Sequence, residues 1–162
     1  MVAHPFITNE GVKKLNNSGT VLRPMRPEDL DGAIRLWCQT EGVIIRNYDD
    51  SPEGIARFIK RNPKTSLVLD QQGEIVGTLL CGNDGRRGFI YHFVVRRDLR
   101  NRGLGTMMLN EVYRHLREDG IAKGGLVALT SNKLGLEFWK NRGWSRRDDL
   151  FYFDFPLCPE AE

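Results

Sequence analysis

The stretch from Gly88 to Thr106 constrains the fold more than any other part of the chain. Gly88-Phe-Ile-Tyr-His-Phe-Val-Val95 is apolar on both faces, which fits a central strand covered on both sides. A charged turn, Arg96-Arg-Asp-Leu-Arg-Asn-Arg102, follows directly. Gly103-Leu-Gly105 then opens a segment with Leu104, Met108, Val112 and Leu116 four apart. That spacing predicts an amphipathic helix over 104–119, ended by Gly120. A helix start carries unpaired N–H groups and a partial positive charge, so this strand–turn–helix reads as a cradle for a diphosphate. Gly103 and Gly105 would let amides approach an anion, and Arg96, Arg97, Arg100 and Arg102 gather charge at the same point. A tight helix entry without any ligand would use the same glycines.

Two other phosphate loops are excluded. A dinucleotide fingerprint needs a third glycine where Met108 stands, and a Walker loop needs Gly-Lys-Ser/Thr where this chain has Gly105-Thr106.

Around this centre the chain reads as alternating elements. Thr20–Arg26 predicts a short strand, and Leu30, Ala33, Ile34 and Trp37 mark a helix over 27–40. Ser51-Pro52 starts a second helix, stopped by Pro63. Residues 66–70 and 74–81 form a hairpin around Gly73. Residues 126–130 predict a buried strand, 133–142 a helix closed by Gly143, and 151–155 a last strand with Phe151, Phe153 and Phe155 alternating. The order β-α-α-β-β-β-α-β-α-β predicts an α/β domain, with a mixed sheet and helices on both faces. Residues 1–19 read as an N-terminal arm, 20–156 as the domain and 157–162 as a tail.

Composition narrows the class. A chain of 162 residues suits one domain with its own core. Lys plus Arg total 24 against 21 Asp plus Glu, and an excess of +3 is too small to argue for nucleic acid. Cys38, Cys81 and Cys158 are far apart and only three histidines are available, which speaks against a zinc site or disulfide framework and fits a reducing cytoplasm. No apolar run approaches the ~20 residues of a membrane span.

Two stretches, Arg100-Asn-Arg-Gly-Leu-Gly105 and Asn132 to Trp144, together resemble the GNAT superfamily of N-acetyltransferases. The family patterns are Arg/Gln-x-x-Gly-x-Gly/Ala and Asn-x-x-Ala-x-x-x-Tyr-x-x-x-Gly-Phe. The second match is partial: Gly135 stands for the Ala, Trp139 for the Tyr and Trp144 for the Phe. The resemblance covers roughly residues 20–155, and Gly82–His92 resembles a subgroup of small bacterial GNAT proteins. It implies a mostly antiparallel sheet of about six to seven strands and transfer of an acetyl group from acetyl-CoA to an amine, as a monomer or homodimer.

Site residues follow from the same resemblance. Backbone groups of Phe93, Val94 and Val95 would pair with the pantetheine arm. Arg100, Asn101, Arg102, Gly103, Leu104, Gly105 and Thr106 would hold the diphosphate. Asn132 and Trp139 would lie against the cofactor. The Tyr that Trp139 replaces protonates the leaving sulfur; an indole N–H is no acid. That departure would also suit an acyl-CoA-binding sensor. Tyr91 and Tyr113 are stand-ins for the acid. His92 is either the base that deprotonates the acceptor or a hydrogen-bonded core residue. Trp37, Glu41 and Tyr48 would line the acceptor groove, where Glu41, Asp49 and Asp50 either attract a cationic amine or form a solvated loop. Cys81 either faces the site or is an inert buried thiol.

Overall fold

The computed structural model describes residues 13–14 and 19–158. Its centre is a sheet in the order β1-β2-β3-β4-β5-β6: β1 (Lys13–Lys14), β2 (Thr20–Pro24), β3 (Ser66–Gln71), β4 (Glu74–Asn83), β5 (Gly88–Val95) and β6 (Gly124–Leu126). All neighbours are antiparallel except β5 and β6, which run parallel. The mixed α/β architecture is the expected one, with slightly fewer full strands.

Helices cover both faces. One carries α1 (Leu30–Cys38), entered by a 3-10 turn at Pro27–Asp29, and α2 (Pro52–Arg61). Trp37, Leu36 and Ala33 of α1 and Ile55 and Ile59 of α2 pack there on Val68, Leu80 and Val94 of the sheet. The other carries α3 (Leu104–Glu118) and α4 (Lys133–Asn141). Met108, Leu109, Val112 and Leu116 of α3 pack there on Leu67, Leu69, Leu79 and Ile90. Successive strand side chains point to opposite faces, so β3 and β4 need unbroken apolar runs to serve both layers. An anchor joins β2 and β3 to the start of α1: the Arg23 guanidinium donates to both Asp29 oxygens (2.7 Å each) and to Asp70 (2.9 Å).

Two expectations need correction. The predicted strand 126–130 instead lies at Gly124–Leu126, sharing only Leu126, and Val127 is 60% exposed rather than buried. Beyond Leu126 the chain leaves β5, which itself runs on to Val95. The predicted last strand at 151–155 is irregular, and Phe151, Phe153 and Phe155 are exposed. Its alternation has no second strand to pair with among the described residues. Within the arm at 1–19, Lys13 and Lys14 pair with β2; 1–12, 15–18 and the tail at 159–162 lie outside the described residues.

Candidate active site

One extra residue in β5 organises the site. Thr78 pairs with Val94 and Leu80 with Tyr91, so His92 and Phe93 together oppose Leu79. His92 absorbs the bulge with φ +42°, a left-handed conformation uncommon for a residue with a side chain. Strict alternation would put neighbours on opposite faces. The bulge instead turns both Tyr91 and His92 toward α1 and α2, where Tyr91 meets Phe58 and His92 meets Trp37. Phe93 points the other way, against Phe138 and Trp139 of α4.

Long-range contacts hold this conformation. Thr78 Oγ1 donates to the His92 carbonyl (2.7 Å) and accepts from the Trp37 indole N–H (2.8 Å). The Trp37 ring stacks on the imidazole, centroids 4.1 Å apart and planes within 17°. His92 Nε2 lies 2.6 Å from Asp50 Oδ1. Asp50 Oδ2 accepts the Arg46 backbone N–H (2.7 Å), closing the turn before α2. Local chemistry sets that turn. Ser51 caps α2 by accepting the Gly54 N–H (3.1 Å), and a Cβ on Gly54 would clash with the Asp49 carbonyl oxygen.

Beyond His92 the sheet opens. β5 pairs with β6 only from Gly88 to Ile90, so the edge from Tyr91 to Val95 has no β6 partner. At the far end of this edge stands the start of α3. Asn101 (φ +61°) and Gly103 (φ +77°) are left-handed, no side chain caps the helix, and no acidic residue occupies its first turn. A Cβ on Gly103 would meet nothing within 4 Å, whereas one on Gly105 would stand 3.0 Å from the Phe93 ring. The first glycine serves backbone conformation and the second close packing. Open space beside uncapped N–H groups suits an anionic group.

The arginines around this start are not equivalent. Arg96 is spent on Glu74 (2.8 Å) and Asp98 (2.7 Å), so its charge is largely balanced by those carboxylates. Arg100 Nε donates to the Val95 carbonyl (2.9 Å), and Arg102 donates to the Asp98 carbonyl (3.0 Å). Both brace the loop and leave their remaining N–H groups at the surface. The Val95 carbonyl is therefore engaged by the loop.

Other predicted residues fall in distinct places. Asn132 caps α4 by accepting the Gly135 N–H (2.9 Å), and Gly42 of the α1–α2 loop packs on its side chain. Trp139 sits partly buried among Phe93, Phe138 and Trp144. Glu41 and Tyr48 are exposed in the α1–α2 loop. Trp37 is corrected: at 1% exposure it supports His92 from beneath and does not line a groove. Of its two readings Cys81 takes the inert one: it is fully buried in the α3-side core, and burial pushes its thiol up to about 12. Tyr113 accepts the Trp144 indole N–H (2.8 Å) on α3. The Tyr91 phenol is held above its ordinary 10.0, first by burial and then by Tyr152, Cys81 and Asp49. It keeps its proton at neutral pH and can donate it. Sequence reasoning missed the buried role of Asp50, since nothing local separates it from exposed Asp49.

A split sheet, a bulged strand beside the split and an uncapped helix start at its end define the site of this α/β domain. Residues 30–144 match the model of the acetyltransferase (GNAT) family, and the chain belongs to that family. An acetyltransferase of Sodalis glossinidius (strain morsitans) is 26% identical over 141 residues, covering 87% of this chain and 98% of that protein. The crystal structure of an acetyltransferase from Streptococcus agalactiae 2603 has the same fold, with TM-score 0.69 at 18% identity over 86% of this chain and 93% of that one. PaiA N-acetyltransferase of Thermoplasma acidophilum, solved in complex with coenzyme A, gives TM-score 0.66 at 16% identity over 76% and 87%. No helix among the described residues is long and apolar enough to cross a membrane.

Proposed function

We propose that the domain transfers an acetyl group from acetyl-CoA to a primary amine by direct attack in a ternary complex, in the cytoplasm. The observation that carries this reading is the unpaired β5 edge running from His92 to the open α3 start. It links a basic side chain to an anion cradle. The Thermoplasma acidophilum neighbour's coenzyme A adds support for the donor.

Amides from Asn101 to Thr106 and the outer N–H groups of Arg100 and Arg102 hold the diphosphate. Backbone groups of Phe93 and the Val95 N–H on the open β5 edge orient the pantetheine arm, with Asn132 and Trp139 beside it, while Val94, in register with Thr78, turns its backbone to β4. The thioester supplies an activated acetyl carbon. A β5 edge N–H aimed at its carbonyl oxygen stabilises developing negative charge. His92 takes one proton from the acceptor's ammonium, leaving a lone pair on nitrogen. Trp139 cannot supply a proton, so the departing thiolate relies on its own low basicity (thiol pKa about 8.5) or on the Tyr91 phenol. Glu41 and Tyr48 stand at the exposed lip, where the acceptor enters.

Titration calorimetry with acetyl-CoA, followed by thiol release with spermidine, Nα-acetyl-lysine and a tripeptide with a free N-terminus, tests the proposal. Binding plus turnover of at least one amine is expected. No binding at high micromolar acetyl-CoA overturns it. Binding with no turnover of any acceptor would instead favour an acyl-CoA sensor, the reading that Trp139 supports.

A further inference from the structure

The contacts of His92 select one nitrogen of its ring. An ionised aspartate offers only acceptors, and Asp50 uses one oxygen on the Arg46 backbone N–H and the other on His92 Nε2. Nε2 must then carry the hydrogen. In the neutral ring this leaves the lone pair on Nδ1. Nδ1 makes no hydrogen bond with the described residues. It is not sealed in the core either, because the one buried side-chain polar atom lacking a partner there is Ser66 Oγ. The rest of the ring has no freedom to reverse these roles. Trp37 covers one face, Thr78 holds the His92 carbonyl, and Asp50 is 7% exposed.

We infer that Asp50 is a positioning residue that locks His92 in the Nε2–H form, so that Nδ1 is the atom that takes the acceptor's proton. This rests on the reading of His92 as the base. The ammonium gives H⁺ to the Nδ1 lone pair. The amine keeps the bonding pair as its own lone pair, and the imidazolium formed keeps Nε2–H on the Asp50 carboxylate. No other carboxylate contacts the ring among the described residues. Neither oxidant nor further reactant is needed.

The pair also explains why an amide would be a poor substitute. In Asp50→Asn one position becomes NH2. The Arg46 N–H is fixed by the backbone and needs an acceptor, so the amide oxygen turns to Arg46 and the NH2 turns to His92. It then donates to Nε2, and the ring proton moves to Nδ1. A near-isosteric change blocks the basic atom while leaving the fold in place.

Nitrogen-15 spectra of the imidazoles read this directly, and with three histidines in the chain His92→Gln assigns the signal. In the wild type with its imidazole neutral, Nε2 should be the protonated nitrogen and Nδ1 the bare one. The opposite pattern overturns the inference without any variant. In Asp50→Asn the pattern should reverse, and kcat with the fastest of the three amines should fall on the order of 10²–10⁴-fold, the loss of a general base. KM for acetyl-CoA should stay within about threefold, because uniform binding is untouched. If the pattern reverses and kcat survives while His92→Gln is slow, the choice of nitrogen does not matter and the inference fails. If His92→Gln itself keeps wild-type kcat, the base reading fails, and the wild-type and Asp50→Asn spectra still decide whether Asp50 sets the tautomer.

Discussion

The loop that opens α3 and the cluster around His92 stand at two ends of the same strand edge, and they are held in opposite ways. The loop is local. Its left-handed Asn101 and Gly103, its short arginine bonds to Val95 and Asp98 and its uncapped helix start all lie within about a dozen residues. The His92 cluster is assembled across the chain: Asp50 and His92 are 42 positions apart, and Trp37 and Thr78 are 41. Backbone donors in a short loop can hold an anion by their direction alone. A side chain that must present one particular nitrogen needs neighbours that fix its ring, and those come from other elements. Binding should therefore depend on single backbone positions, and chemistry on remote partners.

Substitutions can break this contrast. The largest effect is expected at the local end, where Gly103→Glu introduces both a side chain at φ +77° and a negative charge. Calorimetry should detect no acetyl-CoA binding, and retained affinity would remove the cradle from this loop. His92→Gln should come next, lowering kcat on the order of 10²–10⁴-fold while calorimetry still finds acetyl-CoA affinity close to wild type. A matching loss of affinity would mean that the two ends are not separable.

Smaller changes sharpen the contrast through the supports. Asp29→Asn weakens the anchor that fixes the start of α1, the helix carrying Trp37, and should cost about 2 kcal/mol in a urea melt. Its pH signature has a definite sign. Burial alone would raise the Asp29 carboxyl, but the bonds from Arg23 and the Arg26 N–H outweigh it and hold it below the ordinary 3.8. The unfolded chain therefore takes this proton first as pH falls. The stabilisation is full well above 3.8 and is lost as pH drops through the lower native value. Urea midpoints taken from about pH 5 to about pH 3 should fall less in Asp29→Asn than in the wild type. The smallest effect is expected for Gly105→Ala. Its methyl would press on Phe93 at 3.0 Å, destabilising by about 1 kcal/mol, and acetyl-CoA affinity should change by less than tenfold.

The same division separates what could be read from the chain. The helix periodicities at 30–37 and 104–116 and the apolar runs of β3, β4 and β5 translate directly into buried faces. The C-terminal third translates poorly. Alternating Phe151, Phe153 and Phe155 suggest a half-buried strand, yet alternation only becomes burial where a second surface supplies cover, and these rings are exposed. Within the site, the glycines and the helix start were readable, whereas the division of the arginines was not. Arg96 differs from Arg102 through its bonds to Glu74 at the start of β4 and to the Asp98 carboxylate.

By itself the sequence determined the family, the order of elements from β2 to α4 and the glycine-marked start of α3, because helix entry, glycine conformation and apolar periodicity are properties of neighbouring residues. Only the tertiary structure decided that Asp50 is buried rather than solvated, that Trp37 lies beneath His92 rather than in a groove, and that a bulge turns His92 toward both. Those outcomes depend on contacts between segments some forty residues apart, and no local pattern encodes which acidic residue of a loop will meet which ring.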